Sequence, residues 1–295
     1  MQGLILINKP KGITSFGAVA RVKKITNEKR VGHTGTLDPM ATGVLPIFIG
    51  KSTQLSDFLL SAEKEYITDV KLGITTDTLD ITGNVLSKQE VSFTLEKIKE
   101  TLDGFLGESM QMPPMYSAIK KDGVRLYQLA RKGQTIEREP RKINIKKIDI
   151  IRFNKDTFSI KVLCSKGTYI RSLVDDIGKK LGVGATVTDL KRTKTAGFNI
   201  EDCVDLDDLT EENIIDFINP EEIAVESYKE IFVSQKQAIR FSNGGELDFE
   251  RLRFNTYPQE NEIFRVKYKN LFLGLGIASH QNLAIKIKCL INQYK

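Results

Sequence analysis

Residues 143–164 read INIKKIDIIRFNKDTFSIKVLC, and their spacing decides the fold class. Apolar residues alternate with polar ones across 143–151 and again at Phe158, Ile160, Val162 and Cys164, the period of two expected of strands with one buried face. A third such run covers 66–72. Helical signals lie between these runs without strict alternation. Ser15 is placed to cap a helix reaching about Lys24, with Phe16, Val19 and Val22 at three-residue steps, and Thr94 to cap one carrying Leu95, Ile98 and Leu102. Strands in hairpin-like succession with interspersed helices predict an α+β class rather than a doubly wound sheet. Beyond Pro220, short strand candidates at 231–233, 263–268, 271–277 and 283–287, punctuated by Gly244, Gly245, Gly274 and Gly276, predict a small, nearly closed β module with its boundary near residue 226.

The chain has 295 residues, 40% hydrophobic and 28% charged, which suits a folded protein with a sizeable core and excludes disorder. No apolar run is long enough to span a membrane, and the N-terminus lacks a signal-peptide layout, so a cytoplasmic protein with no membrane partner is expected. Cys164, Cys203 and Cys289 stand far apart, which argues for buried reduced thiols and against a disulfide framework or a cysteine zinc site. The net charge of +6 conceals an asymmetry: residues 1–200 carry +12, residues 201–228 contain eleven acids and no Lys or Arg, and residues 229–295 carry +5. Excess cations in two regions fit a polyanionic partner. Lys120, Lys121, Arg125, Arg131, Lys132, Arg138, Arg141, Lys142, Lys146 and Lys147 crowd into 120–147, a candidate surface for following phosphates. The acidic stretch reads as a solvated helix and linker, or as a surface turned away from that partner.

Two phosphate-binding motifs fail. Gly50-Lys51-Ser52 resembles the end of a Walker A loop, but Leu45 stands where its first glycine is required; Gly182 and Gly184 begin a GxGxxG whose last position is Val187. No nucleotide cofactor is expected. Two histidines, His33 and His280, are too few for a histidine-rich metal site, and no metal is expected. The segment 32–46, GHTGTLDPMATGVLP, is too polar and glycine-punctuated for a core strand. It reads as a loop that brings one carboxylate, Asp38, and one imidazole, His33, close together. By its residues alone, an Asp before Pro in a loop is more often a turn former or cap than a chemical group.

That loop resembles the hallmark motif of the TruB family of tRNA pseudouridine synthases, and the resemblance continues in order along 1–205. Residues 8–15 (NKPKGITS) are similar to the family's N-terminal motif, with Asn8 where Asp is commoner; Lys64-Glu65-Tyr66, residues 73–83, residues 113–118 with Lys120, Gly123 and Tyr127, residues 167–173 and residues 190–193 match further blocks. The resemblance implies a central mixed, mainly antiparallel sheet in a catalytic domain over 1–225, with a basic RNA-binding insertion at about 120–147, and a PUA-like RNA-binding domain over 226–295. It implies isomerisation of uridine to pseudouridine in the T-loop of tRNA, at position 55, by base flipping and without a cofactor. Asp38 is then the catalytic aspartate, nucleophile or base, and Arg171 its ion-pair partner, expected to lower the Asp38 pKa. Tyr66 and Tyr169 are implied to contact the flipped base, His33 to hold the rearranged RNA loop, Leu190 to form an apolar wall, and Lys9 and Lys120 to bind substrate. The implied partner is the tRNA T-arm; nothing in the sequence demands an assembly, and a monomer is expected. Another RNA target, or a non-catalytic RNA-binding or RNA-folding protein, are the alternatives, and loss of Asp38 or Arg171 would mark the latter. Both are present.

Overall fold

The structure, a computed structural model, describes residues 1–60, 62–121, 123–254 and 256–295. Among these, ten strands form one mixed sheet. Its main path runs Val204–Asp205, Gly3–Lys9, Thr42–Ile49, Ala185–Thr195, Lys64–Leu72, Thr157–Cys164, Arg141–Asn154, Gly107–Gln111, with Val31–His33 and Phe198–Asn199 alongside. Only two of its pairings are parallel among the described residues: Gly3–Lys9 with Val204–Asp205, and Thr42–Ile49 with Ala185–Thr195. The alternating runs lie at the centre of this sheet. In Lys64–Leu72 burial alternates at every residue, and the hairpin of Arg141–Asn154 and Thr157–Cys164 sets Ile150 opposite Ile160 and Phe153 opposite Phe158. In Lys64–Leu72, burying every second side chain fixes the register, because a slip of one residue would turn the apolar set to water. The alternation expected over 143–151 does not hold, since in Arg141–Asn154 only Ile143 and Ile145 are buried and the pairing shifts register between Ile145 and Lys147 and between Ile150 and Arg152.

The first helix, Ser15–Thr26, begins one residue from the expected cap. Thr14 Oγ1 accepts from the Gly17 amide at 2.9 Å, which frees Ser15 to sit buried against the loop before Thr42. Its buried stripe runs through positions 15, 18, 19, 22 and 26, so Phe16, expected on the core face, is 75% exposed. Leu95–Asp103 is capped by Thr94 as its sequence implies, with Ile98 and Leu102 buried.

A second sheet of five strands, in the order Lys229–Phe232, Ile263–Tyr268, Leu271–Ser279, Ala284–Leu290, Leu247–Asp248, curls around Phe241, Phe264, Leu273 and Ile285. This makes the chain α+β with a PUA-like C-terminal module. Leu4, Leu6, Phe48 and Leu55 of the first sheet's region pack with Phe272, Leu275 and Ile291 of the second in one apolar cluster. The acidic stretch between them contains no α-helix; it is a series of short 3-10 turns that bury Leu206, Ile214 and Val225. Its carboxylates reach both bodies. Asp207 pairs with Arg21, and Glu222 with Arg265 at 2.6 Å and Lys267 at 2.9 Å. Part of the module's positive charge is therefore neutralised within the chain.

Cys164 and Cys289 are buried free thiols, whereas Cys203 is only half-buried. Burial pushes the Cys164 thiol up to about 11 and that of Cys203 up to about 12. No helix among the described residues is long and apolar enough to cross a membrane.

Where Thr42–Ile49 meets Ala185–Thr195, Gly43 lies opposite Arg192 with a φ of +108°. A Cβ there would stand 2.1 Å from the Arg192 carbonyl oxygen, so the strands would have to part. Gly43→Ala is expected to cost about 1–3 kcal/mol through overpacking alone, with backbone strain added. Thermal denaturation checks it, and an unchanged midpoint contradicts the close approach.

Candidate active site

The segment 32–46 is not loop throughout. Its ends are strands, Val31–His33 and Thr42–Ile49, because the paired backbone on both sides leaves only residues 34–41 without ladder partners. Side chains that flank Asp38 anchor the loop: Leu37, Met40 and Ala41 are buried in the main core, while Asp38 is half-buried at its rim. The Leu37 amide donates to Ser15 Oγ at 2.8 Å, Ser15 Oγ donates to the Leu37 carbonyl at 3.1 Å, and the Gly12 amide donates to the Pro39 carbonyl at 2.8 Å. Alternating apolar plugs and polar ties hold the carboxylate in place.

Facing it is Arg171, the second residue of the helix Ile170–Lys180, whose N-cap is Tyr169. Arg171 is buried rather than spread on the surface, and every part of its fork is engaged. Nε meets Asp38 Oδ2 at 2.8 Å, Nη1 meets Asp80 Oδ2 at 3.5 Å and donates to the Thr78 carbonyl at 2.9 Å, and Nη2 donates to the Tyr116 carbonyl at 2.8 Å. Four fixed partners allow one guanidinium orientation, which a lysine cannot reproduce. Asp80 is itself held by Thr78 Oγ1 and the Thr82 amide, each at 3.0 Å, and by Thr82 Oγ1.

Arg171 favours the ionised Asp38, as expected, yet the net displacement of the Asp38 pKa is upward. Burial is the largest influence; the charge and hydrogen bond of Arg171 oppose it, the Asp80 charge adds to it, and Lys9 opposes it. The arrangement presents a poorly hydrated carboxylate, raised in basicity, beside a cation that keeps it oriented. Such a group suits attack or proton abstraction.

Lys9 departs from the substrate-binding role read from the sequence. It is fully buried, its Nζ donates at 2.8 Å to the carbonyls of both Pro10 and Ile13, and burial lowers its pKa to about 8. It shapes the turn beside the site and contributes charge toward Asp38 from below. Tyr66 and Tyr169 both stand within electrostatic reach of Asp38, and burial raises both phenols. Tyr66 is 7% exposed, on the central strand, and Tyr169 is half-buried. Leu190 is buried in the main core on Ala185–Thr195. His33 is half-buried at the end of its strand, its Nδ1 has no hydrogen-bond partner, and burial followed by the charge of Arg192 lowers its pKa, so the ring is neutral at pH 7. Lys120 lies apart from this cluster, exposed in the two-stranded hairpin of Lys120–Lys121 and Val124–Arg125. Nearby cations are partly paired, Lys142 with Glu108 at 2.8 Å and Lys147 with Asp149 at 2.7 Å.

Two residues of the site lie in family-like blocks, residues 73–83 and 190–193, without any role that the sequence assigns to them. Asp80 lies inside a polar run with nothing to distinguish it from Asp77. Arg192 reads as one more cation in a basic strand, yet it is fully buried, and its Nε and Nη2 donate to the carbonyls of Val44 at 2.9 Å and Gly35 at 2.8 Å. These carbonyls lie on either side of Asp38, so one guanidinium ties both ends of the loop. Arg192→Met would leave both acceptors unpaired. It is expected to cost about 2–4 kcal/mol, at about 1–3 kcal/mol per orphaned group with relief of charge burial set against it. Chemical denaturation of the two proteins checks this, and equal midpoints would contradict it.

A model of the TruB family pseudouridylate synthase N-terminal domain matches residues 23–170, and one of the tRNA pseudouridylate synthase B C-terminal domain matches residues 171–226. The tRNA pseudouridine synthase B of Clostridium tetani is 48% identical over 292 residues, covering 99% of this chain and all of that protein. Among solved structures, a Cbf5-Nop10-Gar1 complex superposes with a TM-score of 0.76 at 28% identity, over 99% of this chain and 85% of the other. An H/ACA RNP bound to a substrate RNA containing 2'-deoxyuridine superposes with a TM-score of 0.75 at 25% identity, over 98% of this chain and 85% of the other. With its two sheets, the buried Arg171 against Asp38, and near full-length identity of this size, the chain belongs to the TruB family of pseudouridylate synthases.

Proposed function

We propose that this protein isomerises uridine to pseudouridine in tRNA, at position 55 of the T-loop, with Asp38 as the catalytic group. In the reaction the bond between uracil N1 and the ribose is broken, the base turns, and C5 is joined to the ribose; the C5 hydrogen leaves as a proton and N1 gains one. Atoms and electrons balance within the substrate and solvent, so the chemistry calls for no oxidant, reductant or cofactor.

The observation that carries this reading is Asp38, half-buried and held at 2.8 Å by a buried Arg171 whose two other nitrogens each donate to a backbone carbonyl. Asp38 attacks or abstracts, Arg171 and Asp80 keep it in one orientation, and Tyr66 and Tyr169 provide aromatic surface for a nucleotide taken out of its stack. His33, neutral and with a free Nδ1, contacts the displaced RNA loop. Lys120 and its basic neighbours follow the phosphates, which position the RNA without reading its sequence. In this reading residues 1–225 are the catalytic domain, with the basic insertion at about 120–147, and residues 226–295 are an RNA-binding module. In this reading the enzyme acts on the T-arm in the cytoplasm, as a monomer whose single chain carries every group named.

A direct test of the target incubates the protein with unmodified tRNA and with isolated T-arm and anticodon-arm hairpins, then maps pseudouridine by reverse-transcription stops. Modification confined to tRNA and the T-arm hairpin is expected. Modification of other positions alone would keep the chemistry and overturn the target.

A further inference from the structure

The strand Gly107–Gln111 ends against the helix that carries Arg171. Gln111 is buried and joins the helix N-cap by two hydrogen bonds of opposite polarity: its Oε1 accepts from the Tyr169 amide at 2.8 Å, and its Nε2 donates to the Tyr169 carbonyl at 3.0 Å. A side-chain amide paired in this way behaves like a residue of a β ladder, gripping the N–H and C=O of one residue and so both peptide planes that flank it. The Tyr169 carbonyl also accepts from the Leu173 amide at 3.0 Å, so the peptide that Gln111 holds is part of the helix's first turn.

Two further bonds tie that turn to the chain immediately after Gln111. Ser172 Oγ donates to the Met112 carbonyl at 3.0 Å, and Arg171 Nη2 donates to the Tyr116 carbonyl at 2.8 Å. Residues 169, 171 and 172 are thus registered against 111, 112 and 116. Only the first of these links uses a side chain from the strand, and only an amide supplies both polarities there.

We propose that Gln111 is a positioning residue for the reaction, setting the first turn of Ile170–Lys180 so that the Arg171 guanidinium meets the Asp38 carboxylate. The Gln111 side chain bonds Tyr169 and not Asp38, so it acts through the helix. A shift of a fraction of an ångström in that turn lengthens the Nε to Oδ2 contact and leaves Asp38 less opposed by a cation. This inference rests on the reading of Asp38 and Arg171 as the catalytic pair.

The test uses the full chain with Gln111→Met, which fills the volume without either bond, and Gln111→Asn, which keeps an amide but withdraws it by one methylene. Single-turnover rates on unmodified tRNA, RNA Kd and the pH dependence of the rate are measured, with wild type and Asp38→Asn alongside. A rate about tenfold lower is expected for Gln111→Met, in keeping with the sensitivity of reactive geometry to small displacements, and a smaller loss for Gln111→Asn. Kd is expected to stay within about twofold. The acid limb of the rate is expected at higher pH in both variants, because burial and Asp80 act on Asp38 against a weakened Arg171, with Lys9 the remaining cation and the Tyr66 and Tyr169 phenols neutral. A wild-type rate in either variant overturns the proposal, as does a rate loss with an unmoved acid limb or an equal loss of RNA affinity. If Gln111→Met does not fold, the same comparison on Gln111→Asn decides. Inactive wild type, or active Asp38→Asn, would instead remove the catalytic reading itself.

Discussion

Asp38→Asn is expected to lower the single-turnover rate by about 10⁴-fold or more, the scale seen when a reacting side chain is removed from an otherwise intact site. RNA affinity should change little, because binding rests on cations and aromatic surface elsewhere, and loss of one negative charge does not weaken attraction to a polyanion. The same substitution has a second expected consequence, of opposite benefit. The folded pKa of Asp38 is raised, chiefly by burial. Above that raised value the ionised carboxylate costs folding free energy, and the cost disappears as pH falls through the window between the raised value and the ordinary one near 3.8, where the folded state binds the extra proton. At neutral pH, Asp38→Asn should therefore denature at a midpoint equal to or above that of wild type. A lower midpoint would mean that the bond to Arg171 outweighs burial, contrary to the upward displacement of the Asp38 pKa.

Arg171→Met is the second large effect. Removing the guanidinium leaves Asp38 and Asp80 facing one another and releases the carbonyls of Thr78 and Tyr116. Breaking a buried ion pair from one side costs about 3–5 kcal/mol, and the half-exposure of Asp38 places this case at the lower end. The catalytic loss is expected to be about 10³-fold, because Asp38 is both misplaced and protonated over more of the pH range. Arg171→Lys, which keeps the charge and loses the fork, should lose less in rate and still fall well below wild type. Rate measurements across pH separate the two causes: if protonation contributes, raising the pH recovers part of the Arg171→Met loss. A pH-independent deficit would assign all of it to geometry.

The parts of this molecule legible in sequence are those whose signal is local and periodic. Lys64–Leu72 and Thr157–Cys164 declare themselves because a half-buried strand repeats every two residues, and Thr94 declares a helix start because its hydroxyl caps the following turn. The 34–41 loop can be located from the glycines and prolines of segment 32–46, and Asp38 and Arg171 can be matched to a family motif. Their contact at 2.8 Å joins residues 133 positions apart and has no local signature. Long-range polar contacts explain the remaining differences. Serine before an apolar repeat is a common helix cap, but the Ser15 hydroxyl is taken by Leu37 and Thr14 caps instead. A lysine is seldom buried, which suits Lys9 to the substrate contact the resemblance implies, yet two carbonyls in its own turn satisfy it. Asp80, Gln111 and Arg192 are ordinary polar letters until the sheet brings their partners to them.

Release of tritium from C5-labelled uridine in unmodified tRNA, by wild type and by Asp38→Asn, with RNA binding measured on the same preparations, tells a catalytic Asp38 from a merely structural one. If Asp38 is the catalytic group, wild type releases tritium without added cofactor, Asp38→Asn releases none, and the two bind RNA with comparable affinity. Release by Asp38→Asn at a rate near wild type would contradict that role.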